Sequence, residues 1–321
     1  MQIESRIDDA GKAIAQLSNP STQPLASRGD CGLACRIVNV GIFANPHKSG
    51  SIPTLRALQA ALGKVGIATL LDEETAALVG EPGGIPAAEF STHVDLAAVI
   101  GGDGTMLHAV ACLGDFQKPV AGINIGTLGF LTSCTDGELD EFAQAVAGGR
   151  FSTSVRTLLA ATVHRSGHPA EEFTALNEIT LARGETGRLI SLRVMVNGEL
   201  LNNYRADGMI VATPTGSTAY SLSAGGPLIA PGAAVFLITP ICPHSLSQRA
   251  LVLSDSCVIE LSSQDPDSEP MLFTVDGRDS VHITPGDHIE VRKSDSSFHL
   301  LRLEERSFYE ALRQKLGWQG V

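Results

Sequence analysis

The chain has 321 residues, of which 43% are hydrophobic and 18% charged, a composition typical of a globular protein long enough for two domains. Its formal net charge of −12, from 23 basic and 35 acidic residues, argues against a nucleic-acid-binding protein, because such proteins usually present a basic face. No window approaches 18 consecutive apolar residues and no basic-then-apolar signal begins the chain, so we predict no membrane contact.

Apolar runs alternate with helical patterns in the first 150 residues. Residues 1–35 are predicted to form a flexible leader, because turn-forming residues dominate them. Strands that alternate with helices indicate βαβ units, so we predict an α/β domain with a parallel sheet over residues 36–150. The predicted strands are Ile37–Phe43, Ile67–Leu71, Leu96–Ile100 and Val120–Ile123, and the first predicted helix is Thr54–Val65.

Short β segments dominate the chain after residue 150, and they predict an all-β, sandwich-like domain over residues 151–303. A closing helix is predicted over Glu304–Trp318, because Phe308, Leu312 and Leu316 share one helical face, and we expect this helix to pack on the α/β domain. The predicted β segments are Leu158–His164, Phe173–Leu181, Leu189–Val196, Leu200–Arg205, Met209–Ala212, Ala250–Leu261, Met271–Val275 and His288–Val291.

The six cysteines are scattered along the chain. In a chain of this size that distribution indicates reduced thiols and a cytoplasmic protein. Cys31 and Cys35 form a C-x-x-x-C pair without a second pair nearby, so we do not interpret them as a zinc site.

The motif Gly101-Gly102-Asp103-Gly104-Thr105 joins a predicted strand to a predicted helix start. Glycines at such a turn let backbone N–H groups approach a phosphate, and the helix N-terminus adds the positive end of its dipole. The negative charge of Asp103 would repel a phosphate, so its presence requires a reason, either a bound Mg²⁺ that offsets the charge or a proton that the carboxylate removes. Phosphoryl transfer to a hydroxyl supplies both reasons. The motif is neither a G-x-G-x-x-G fingerprint nor a Walker A loop, and the alternative is a plain turn.

Two further polar stretches suit a nucleotide. The stretch Thr213–Pro227 is rich in hydroxyls, and its turn into Ala219-Tyr220 suits a purine ring, whereas the alternative is a Ser/Thr-rich connector. Asn177-Glu178 interrupts an apolar strand pattern. The Asn177 amide can donate and accept hydrogen bonds along the edge of an adenine, and the Glu178 carboxylate can accept hydrogen bonds from two ribose hydroxyls. The alternative is that both residues occupy a solvated position of the strand.

Together these stretches resemble the ATP-NAD kinases of the bacterial type, in the order in which the family carries them. The resemblance runs from about residue 37 to residue 318 and also includes Asn124–Thr132, Ile241–Ser247 and Leu312–Trp318. The Gly-Gly-Asp-Gly-Thr core is shared with lipid kinases, whereas Thr213–Pro227 is highly specific to the family. The resemblance implies transfer of the γ-phosphoryl of ATP to the 2′-hydroxyl of the adenosine ribose of NAD, with Mg²⁺ or another divalent cation bound with ATP.

The resemblance also implies roles for single residues. Asp103 would be the general base, Asn177 would bind the adenine of NAD, and Glu178 its ribose. Asp207 would reach the nicotinamide end in a neighbouring subunit's site, so a homodimer or homotetramer is implied. No residue is predicted to ligate a metal. The remaining nucleotide-binding residues implied are Gly102, Gly104, Thr105, His108, Phe130, Arg188, Arg205, Thr215, Thr218, Ala219, Tyr220, Ser221, Leu222, Ser223 and Cys242.

Four positions have a second interpretation. His108 stands where relatives often carry a basic residue, and Arg278 stands where they often carry Gln, so we expect Arg278 to be an exposed turn residue. The second interpretation of Arg188 is an ordinary exposed arginine on a strand. That of Cys242 is a small buried hydrophobic residue. The leader has no counterpart in the family's core motifs and reads as an oligomer arm, a regulatory flap or a mis-set start.

Two other functions compete with an NAD kinase. A lipid kinase shares the glycine turn, but the acidic charge and the Thr213–Pro227 stretch disfavour it. A dinucleotide sensor without catalysis is disfavoured by the presence of Asp103. The sequence leaves open ATP or polyphosphate as the donor, and NAD or NADH as the acceptor.

Overall fold

The structure, a computed structural model, describes residues 37–127, 129–184, 187–263, 265, 269–303 and 307–318. The predicted leader, residues 1–35, lies outside them. No helix in the described ranges combines the length and the apolar character that a membrane crossing requires.

Four parallel strands open the fold, in the spatial order β2-β1-β3-β4. They are β1 (Asn39–Ala44), β2 (Ala68–Leu71), β3 (Leu96–Gly101) and β4 (Val120–Asn124), and the two-residue β5 (Cys134–Thr135) pairs with β4. The helices of this region are α1 (Ser51–Lys64), α2 (Glu73–Val79), the single turn α3 (Phe90–His93), α4 (Asp103–Leu113) and α5 (Leu139–Ala147).

Both faces of this sheet are buried. Leu96, Ala98 and Ile100 of β3 pack in one cluster with side chains of α1 and α5. Ala97 and Val99 point the other way, into a cluster with α4. Cover on both faces explains why β3 is a continuous apolar run rather than an alternating one.

The chain reverses its direction of winding at β1. From β1 it goes to β2 on one side, and the next strand, β3, pairs with β1 on the other side. This change of order is a topological switch point, and open α/β sheets bind ligands at the carboxyl ends of the strands that flank such a point. The carboxyl ends of β1 and β3 are therefore the place to look for a site.

The second part of the fold is a sandwich of two sheets that enclose a large apolar core. Its elements are β6 (Phe151–His164), β7 (Glu171–Ala175), β8 (Glu178–Ala182), β9 (Ile190–Val196), β10 (Glu199–Ala206), β11 (Gly208–Ala212), the single helical turn α6 (Tyr220–Ser223), β12 (Val235–Ile241), β13 (Leu251–Ser254), β14 (Ile259–Ser263), β15 (Met271–Val275), β16 (Asp279–Ile283) and β17 (His288–Leu303).

One of the two sheets is continuous with the parallel sheet. The smaller sheet has six strands in the order β13-β12-β11-β8-β15-β16. The larger has eleven strands, and its path β10-β9-β14-β17 continues directly into β4-β3-β1-β2. Strand β17 makes the junction, because it pairs antiparallel with β6 along its length and meets β4 in parallel at Leu300 and Val120.

A final helix, α7 (Phe308–Leu316), ends the described chain. The Ser307 side chain accepts a hydrogen bond from the Glu310 N–H at its start, and Gly317 adopts a left-handed conformation at its end. The centroid of the Phe308 ring lies 6.3 Å from that of Phe130. Residues 304–306, where the predicted helix begins, lie outside the described ranges.

The fold class predicted from the sequence is confirmed, but two of the predicted strands are wrong. Phe173–Leu181 is two strands, β7 and β8, which belong to different sheets. Ala250–Leu261 is likewise divided, into β13 and β14. Between β7 and β8 the chain crosses from one sheet to the other through residues that stay buried, Leu176 and Asn177, so no polar break marks the crossing in the sequence. Between β13 and β14 it crosses through the partly exposed segment 255–258.

Candidate active site

The Gly101–Thr105 motif lies at the switch point. Strand β3 ends at Gly101, Gly102 is the N-cap, and Asp103 is the first residue of α4. The Thr105 hydroxyl oxygen accepts a bond from the Gly102 N–H at 3.4 Å and one from Asn45 Nδ2 at 3.1 Å. The first N–H groups of α4 therefore open into the crevice between β1 and β3, which is the geometry that binds anions.

Asp103 is held by a second loop. Its carboxylate accepts the Leu131 N–H through Oδ1 at 3.1 Å and the Phe130 N–H through Oδ2 at 3.3 Å. A Cβ on Gly129 would come within 2.5 Å of Oδ1, so only glycine allows the loop to approach this closely. The two N–H groups fix the direction of the carboxylate while part of the side chain stays exposed.

A cavity of about 490 Å³ opens beside this motif. It lies at the carboxyl ends of β1 and β2 and reaches Gly104, Thr105 and His108 of α4. Its other polar wall residues are Asn45, His47, Asp72, Glu73, Glu74 and Thr75. The described residues contain no cluster of three or more His, Cys, Asp or Glu side chains arranged to hold a metal ion.

Lys48 is a site residue that the sequence analysis missed. Its ammonium donates to Asn124 Oδ1 at 2.8 Å, and it lies 3.8 Å from the position that a Cβ on Gly102 would take. A positive charge thus stands over the glycine turn. The signal in the sequence is a lysine in the turn Asn45-Pro46-His47-Lys48, directly after a buried strand.

The side chains of His108 and Arg278 join the two parts of the fold at the site. Arg278 Nη1 lies 3.0 Å from His108 Nδ1, and His108 Nε2 lies 3.8 Å from Glu74 Oε2. Arg278 follows β15, and its side chain is only 25% exposed, with a buried Nε that has no partner. Arg278 thus lies in a turn, as expected, but its side chain is only partly exposed, because it packs against His108 of α4.

Asn177 and Glu178 are also buried, at 9% and 7% exposure. They stand where the chain passes from β7 to β8. The Asp276 carboxylate accepts the backbone N–H groups of Leu176, Asn177 and Glu178 at 2.9, 2.8 and 3.1 Å. The alternative of a solvated strand position is thereby excluded, and Asp276 is a second residue that the sequence analysis did not single out.

Glu178 and Asp276 are buried close to each other, so each carboxyl group ionises less readily than it would in water. Burial, and then the charge of Asp276, raise the pKa of Glu178 to about 8. Burial also raises the pKa of Asp276, although its three N–H donors act in the opposite direction. Glu178 Oε2 is buried and has no hydrogen-bond partner among the described residues, which is unusual for a buried polar atom and is typical of functional sites.

The hydroxyl-rich stretch is tied to this pair. Thr213 donates its hydroxyl to the Leu176 carbonyl at 2.6 Å, and its N–H to the Asn177 carbonyl at 2.8 Å. A side chain on Gly216 would clash with the Asn177 carbonyl. The beginning of the Thr213–Pro227 stretch is therefore packed against Asn177. A loosely attached Ser/Thr-rich connector, the alternative interpretation, would not make these contacts.

The predicted nucleotide-binding residues of this stretch differ in their exposure. Thr215 and Ser221 are buried; the Thr215 hydroxyl has no partner, and the Ser221 hydroxyl lies 2.9 Å from that of Thr239. Tyr220 is 45% exposed, so its ring is open to a ligand. Thr218, Ala219 and Leu222 are half-buried, and Ser223 is exposed.

Four predicted residues lie apart from the Asp103 loop. Asp207 pairs with Arg183 Nη1 at 2.9 Å, and Arg188 is 83% exposed with Glu269 Oε1 at 3.8 Å. Arg205 is exposed on β10. Cys242 is exposed with a φ of 45°, so its interpretation as a buried hydrophobe is wrong. In the described part of the chain no hydrogen bond or ion pair links these side chains to Asp103.

The raised pKa of Glu178 predicts a dependence of stability on pH. The ordinary pKa of a glutamate is 4.5, so below that pH the carboxyl group is protonated in both the folded and the unfolded chain and its full contribution to the free energy of unfolding is present. As the pH rises from there through about 8, the unfolded chain loses this proton more easily than the folded one, and the free energy of unfolding falls. We expect Glu178→Gln to lack this loss, so that its unfolding free energy exceeds that of the wild type increasingly up to pH 8–9, by a few kcal/mol at about 1.4 kcal/mol per pKa unit. Urea unfolding at pH 5, 7 and 9 measures it, and parallel curves for the two proteins would contradict the assignment.

Comparison with known proteins agrees with this geometry. The model of the ATP-NAD kinase N-terminal domain matches residues 85–151, and that of the C-terminal domain matches residues 176–303. The NAD kinase of Chlorobium luteolum is 41% identical over 87% of this chain and 96% of its own. The NAD kinase of Syntrophotalea carbinolica is 38% identical over 87% and 98%.

Solved structures of the same fold extend the comparison. Yeast NADH kinase complexed with NADH superposes with a TM-score of 0.82 at 28% identity, over 89% of both chains. An NAD kinase from Archaeoglobus fulgidus in complex with ATP has a TM-score of 0.68 at 24% identity, over 88% and 99%, which supports the fold alone.

These matches first define a class, an ATP-dependent phosphotransferase. Within that class the chain belongs to the ATP-NAD kinase family. The resemblance seen in the sequence is thus confirmed.

Proposed function

We propose that this chain transfers the γ-phosphoryl of ATP to the 2′-hydroxyl of the adenosine ribose of NAD, with Asp103 as the general base. The observation that carries the proposal is the position of Asp103, which is fixed by two N–H groups at the mouth of the α4 phosphate cradle. In the transfer, the 2′-oxygen forms a bond to phosphorus, the bond to the β-phosphate oxygen breaks, and the Asp103 carboxylate takes the hydroxyl proton.

The acceptor dinucleotide suits the β-rich side of the site. Asn177 offers a donor and an acceptor to an adenine edge, and Glu178 offers its unpartnered oxygen to a ribose hydroxyl. The half-exposed Tyr220 presents a ring face for the base. Because yeast NADH kinase was solved with NADH, we keep both redox states of the dinucleotide as candidate acceptors.

The phosphates suit the other side. Gly102, Gly104 and Thr105 carry the turn and first N–H groups of α4, and His108 and Arg278 face each other one helical turn further on. Phe130 lies on the loop that holds Asp103, and its N–H donates to the Asp103 carboxylate. An arginine in this place offers several donors to phosphate oxygens.

A divalent cation fits the chemistry of this donor set. Mg²⁺ commonly binds in such sites through the phosphates of a nucleotide and keeps several water ligands. The ion would be held by the phosphates of the ATP seated at Gly102, Gly104 and Thr105 and would supply charge neutralisation at the transferred phosphoryl group, while the Asp103 carboxylate stays free to take the proton.

We also propose a homodimer or homotetramer in the cytoplasm. Arg188, Arg205, Asp207 and Cys242 lie apart from the Asp103 loop, and a dinucleotide end bound in a neighbouring subunit's site gives them a role. The free thiols of Cys112, Cys242 and Cys257 suit a reducing compartment.

The test is NADP formation by the purified full-length chain with NAD, ATP and Mg²⁺, beside reactions with NADH and with polyphosphate. NADP from NAD and ATP supports the proposal. Absence of product from every pairing, with folded protein that still binds NAD, would favour the sensor function.

A further inference from the structure

The loop that fixes Asp103 is anchored in the core through one of its two donor residues. The Leu131 side chain is 3% exposed and packs in an apolar cluster with side chains of α4. The Gly129 N–H donates to the Thr132 hydroxyl oxygen at 2.8 Å, which closes the turn around it. The Leu131 N–H, the closer of the two donors to the Asp103 carboxylate, is therefore held in place by the core of the α/β region.

The second donor, the Phe130 N–H, depends on a different contact. Phe130 is half-buried and belongs to none of the apolar clusters that the described residues form. Its ring centroid lies 6.3 Å from that of Phe308, and the two ring planes are tilted by 45°. Aromatic rings at this distance attract each other. The Phe308 ring is thus the aromatic support of the Phe130 side chain in the described part of the molecule.

The backbone of Phe308 is itself fixed. Phe308 is the first residue of α7, a helix that the Ser307 side chain caps and whose Leu312 side chain is buried. The Tyr309 ring packs edge-on against the Phe308 ring at a centroid distance of 5.8 Å. The C-terminal helix therefore carries the fixed half of the aromatic pair, and the loop of Phe130 carries the half that needs support.

We propose that Phe308 is a positioning residue for phosphoryl transfer, because its contact with Phe130 keeps the Phe130 N–H on the Asp103 carboxylate. The inference rests on the proposed function, since it assigns an orienting role toward the proposed general base. The bond from Phe130 to Oδ2 measures 3.3 Å, against 3.1 Å for the bond from Leu131 to Oδ1, so it is the weaker of the two. With both donors in place the carboxylate does not rotate about its Cβ–Cγ bond, and it stays aligned with the proton that it removes.

The experiment measures kcat, the KM values for NAD and ATP, and equilibrium NAD binding in full-length Phe308→Ala. We expect kcat to fall about tenfold with the KM values and the dissociation constant of NAD unchanged, because the contact aligns the base and binds neither substrate. Phe308→Leu retains a large apolar side chain, which keeps this variant folded if alanine does not, and its kcat should fall about threefold.

Trp318→Ala is the matched control. It removes an aromatic side chain that is 54% exposed just beyond the other end of α7, so its kcat should equal that of the wild type. Urea unfolding at pH 7 of all three variants shows whether each is folded under the conditions of the assay.

A double variant distinguishes an orienting role from a general effect on the fold. Asp103→Asn already gives up the bond from the Phe130 N–H, so the contact with Phe308 has no bond left to support. Asp103→Asn combined with Phe308→Ala should therefore have the kcat of Asp103→Asn alone. A further loss in the double variant as large as that of Phe308→Ala in the wild type, or a wild-type kcat in both Phe308 variants, would overturn the inference. NADP formation by the wild type in the same assays would leave the proposed function standing.

Discussion

Asp103→Asn is expected to lower kcat for NADP formation by about 10²–10⁴, because positioned general-base help is worth that much. The amide keeps the shape of the side chain and one oxygen that accepts the Leu131 N–H, and it gives up the longer bond from the Phe130 N–H, so the loop that follows Gly129 keeps the stronger of its two bonds to position 103. The KM for NAD and the dissociation constant of NAD should therefore change little. Steady-state kinetics together with equilibrium NAD binding separates the two effects.

The matched control for that variant is Asp115→Asn. Asp115 is exposed and lies just beyond the other end of α4, where it bonds Ser296 and Gln117. The kcat of Asp115→Asn for NADP formation should remain at the wild-type value. If Asp103→Asn forms NADP at an undiminished rate, the role of Asp103 as general base is wrong, whatever the binding data show.

Asp276→Ala is expected to damage both stability and binding of the acceptor. Three buried backbone N–H groups lose their common acceptor, and each unsatisfied donor costs about 1–3 kcal/mol, so we expect a loss of several kcal/mol in the free energy of unfolding. The same bonds set the positions of Asn177 and Glu178, so the KM for NAD should rise at least tenfold.

Urea unfolding and the KM for NAD, both at pH 7, measure these effects. Asp295→Ala is the control, because the Asp295 side chain is 99% exposed and pairs only loosely with Arg292. A variant at position 276 with the wild-type unfolding midpoint and KM would show that the carboxylate does not organise the Asn177–Glu178 segment.

The sequence predicted the parts of this molecule that are local. A continuous apolar run followed by Gly101–Thr105 has one common structural meaning, a buried parallel strand that ends at a helix N-terminus, and α4 begins there. The dipeptide Asn197-Gly198 is typical of a two-residue hairpin turn, and it connects β9 to β10 with both residues at positive φ. Periodicity also placed α1 and α7 within a few residues.

The parts that the sequence did not predict depend on contacts between distant residues. Asp276 bonds residues about 100 positions earlier, and Arg278 meets His108 across 170 positions, and no pattern along the chain records such separations. The carboxylates at 72–74 are unremarkable as a helix start, and only the parallel pairing of β1 with β2 brings them to the rim of the glycine turn. Lys48 follows the same rule through Asn124.

The long pairing of β6 with β17 also limits how the molecule can move. The pairing runs from His164 and His288 to Phe151 and Leu303, with one irregularity between Lys293 and Ser297, and β17 extends the same sheet into β4. A hinge between the α/β region and the sandwich would have to bend this two-stranded ribbon, because one pair of residues, Leu300 and Val120, is the pairing of β17 with β4. The ladder is already interrupted between Lys293 and Ser297, so we expect any rotation of the two parts to be centred there, and closure of the short loops at strand ends, such as the one that carries Phe130, to complete the shielding of the reacting groups from water.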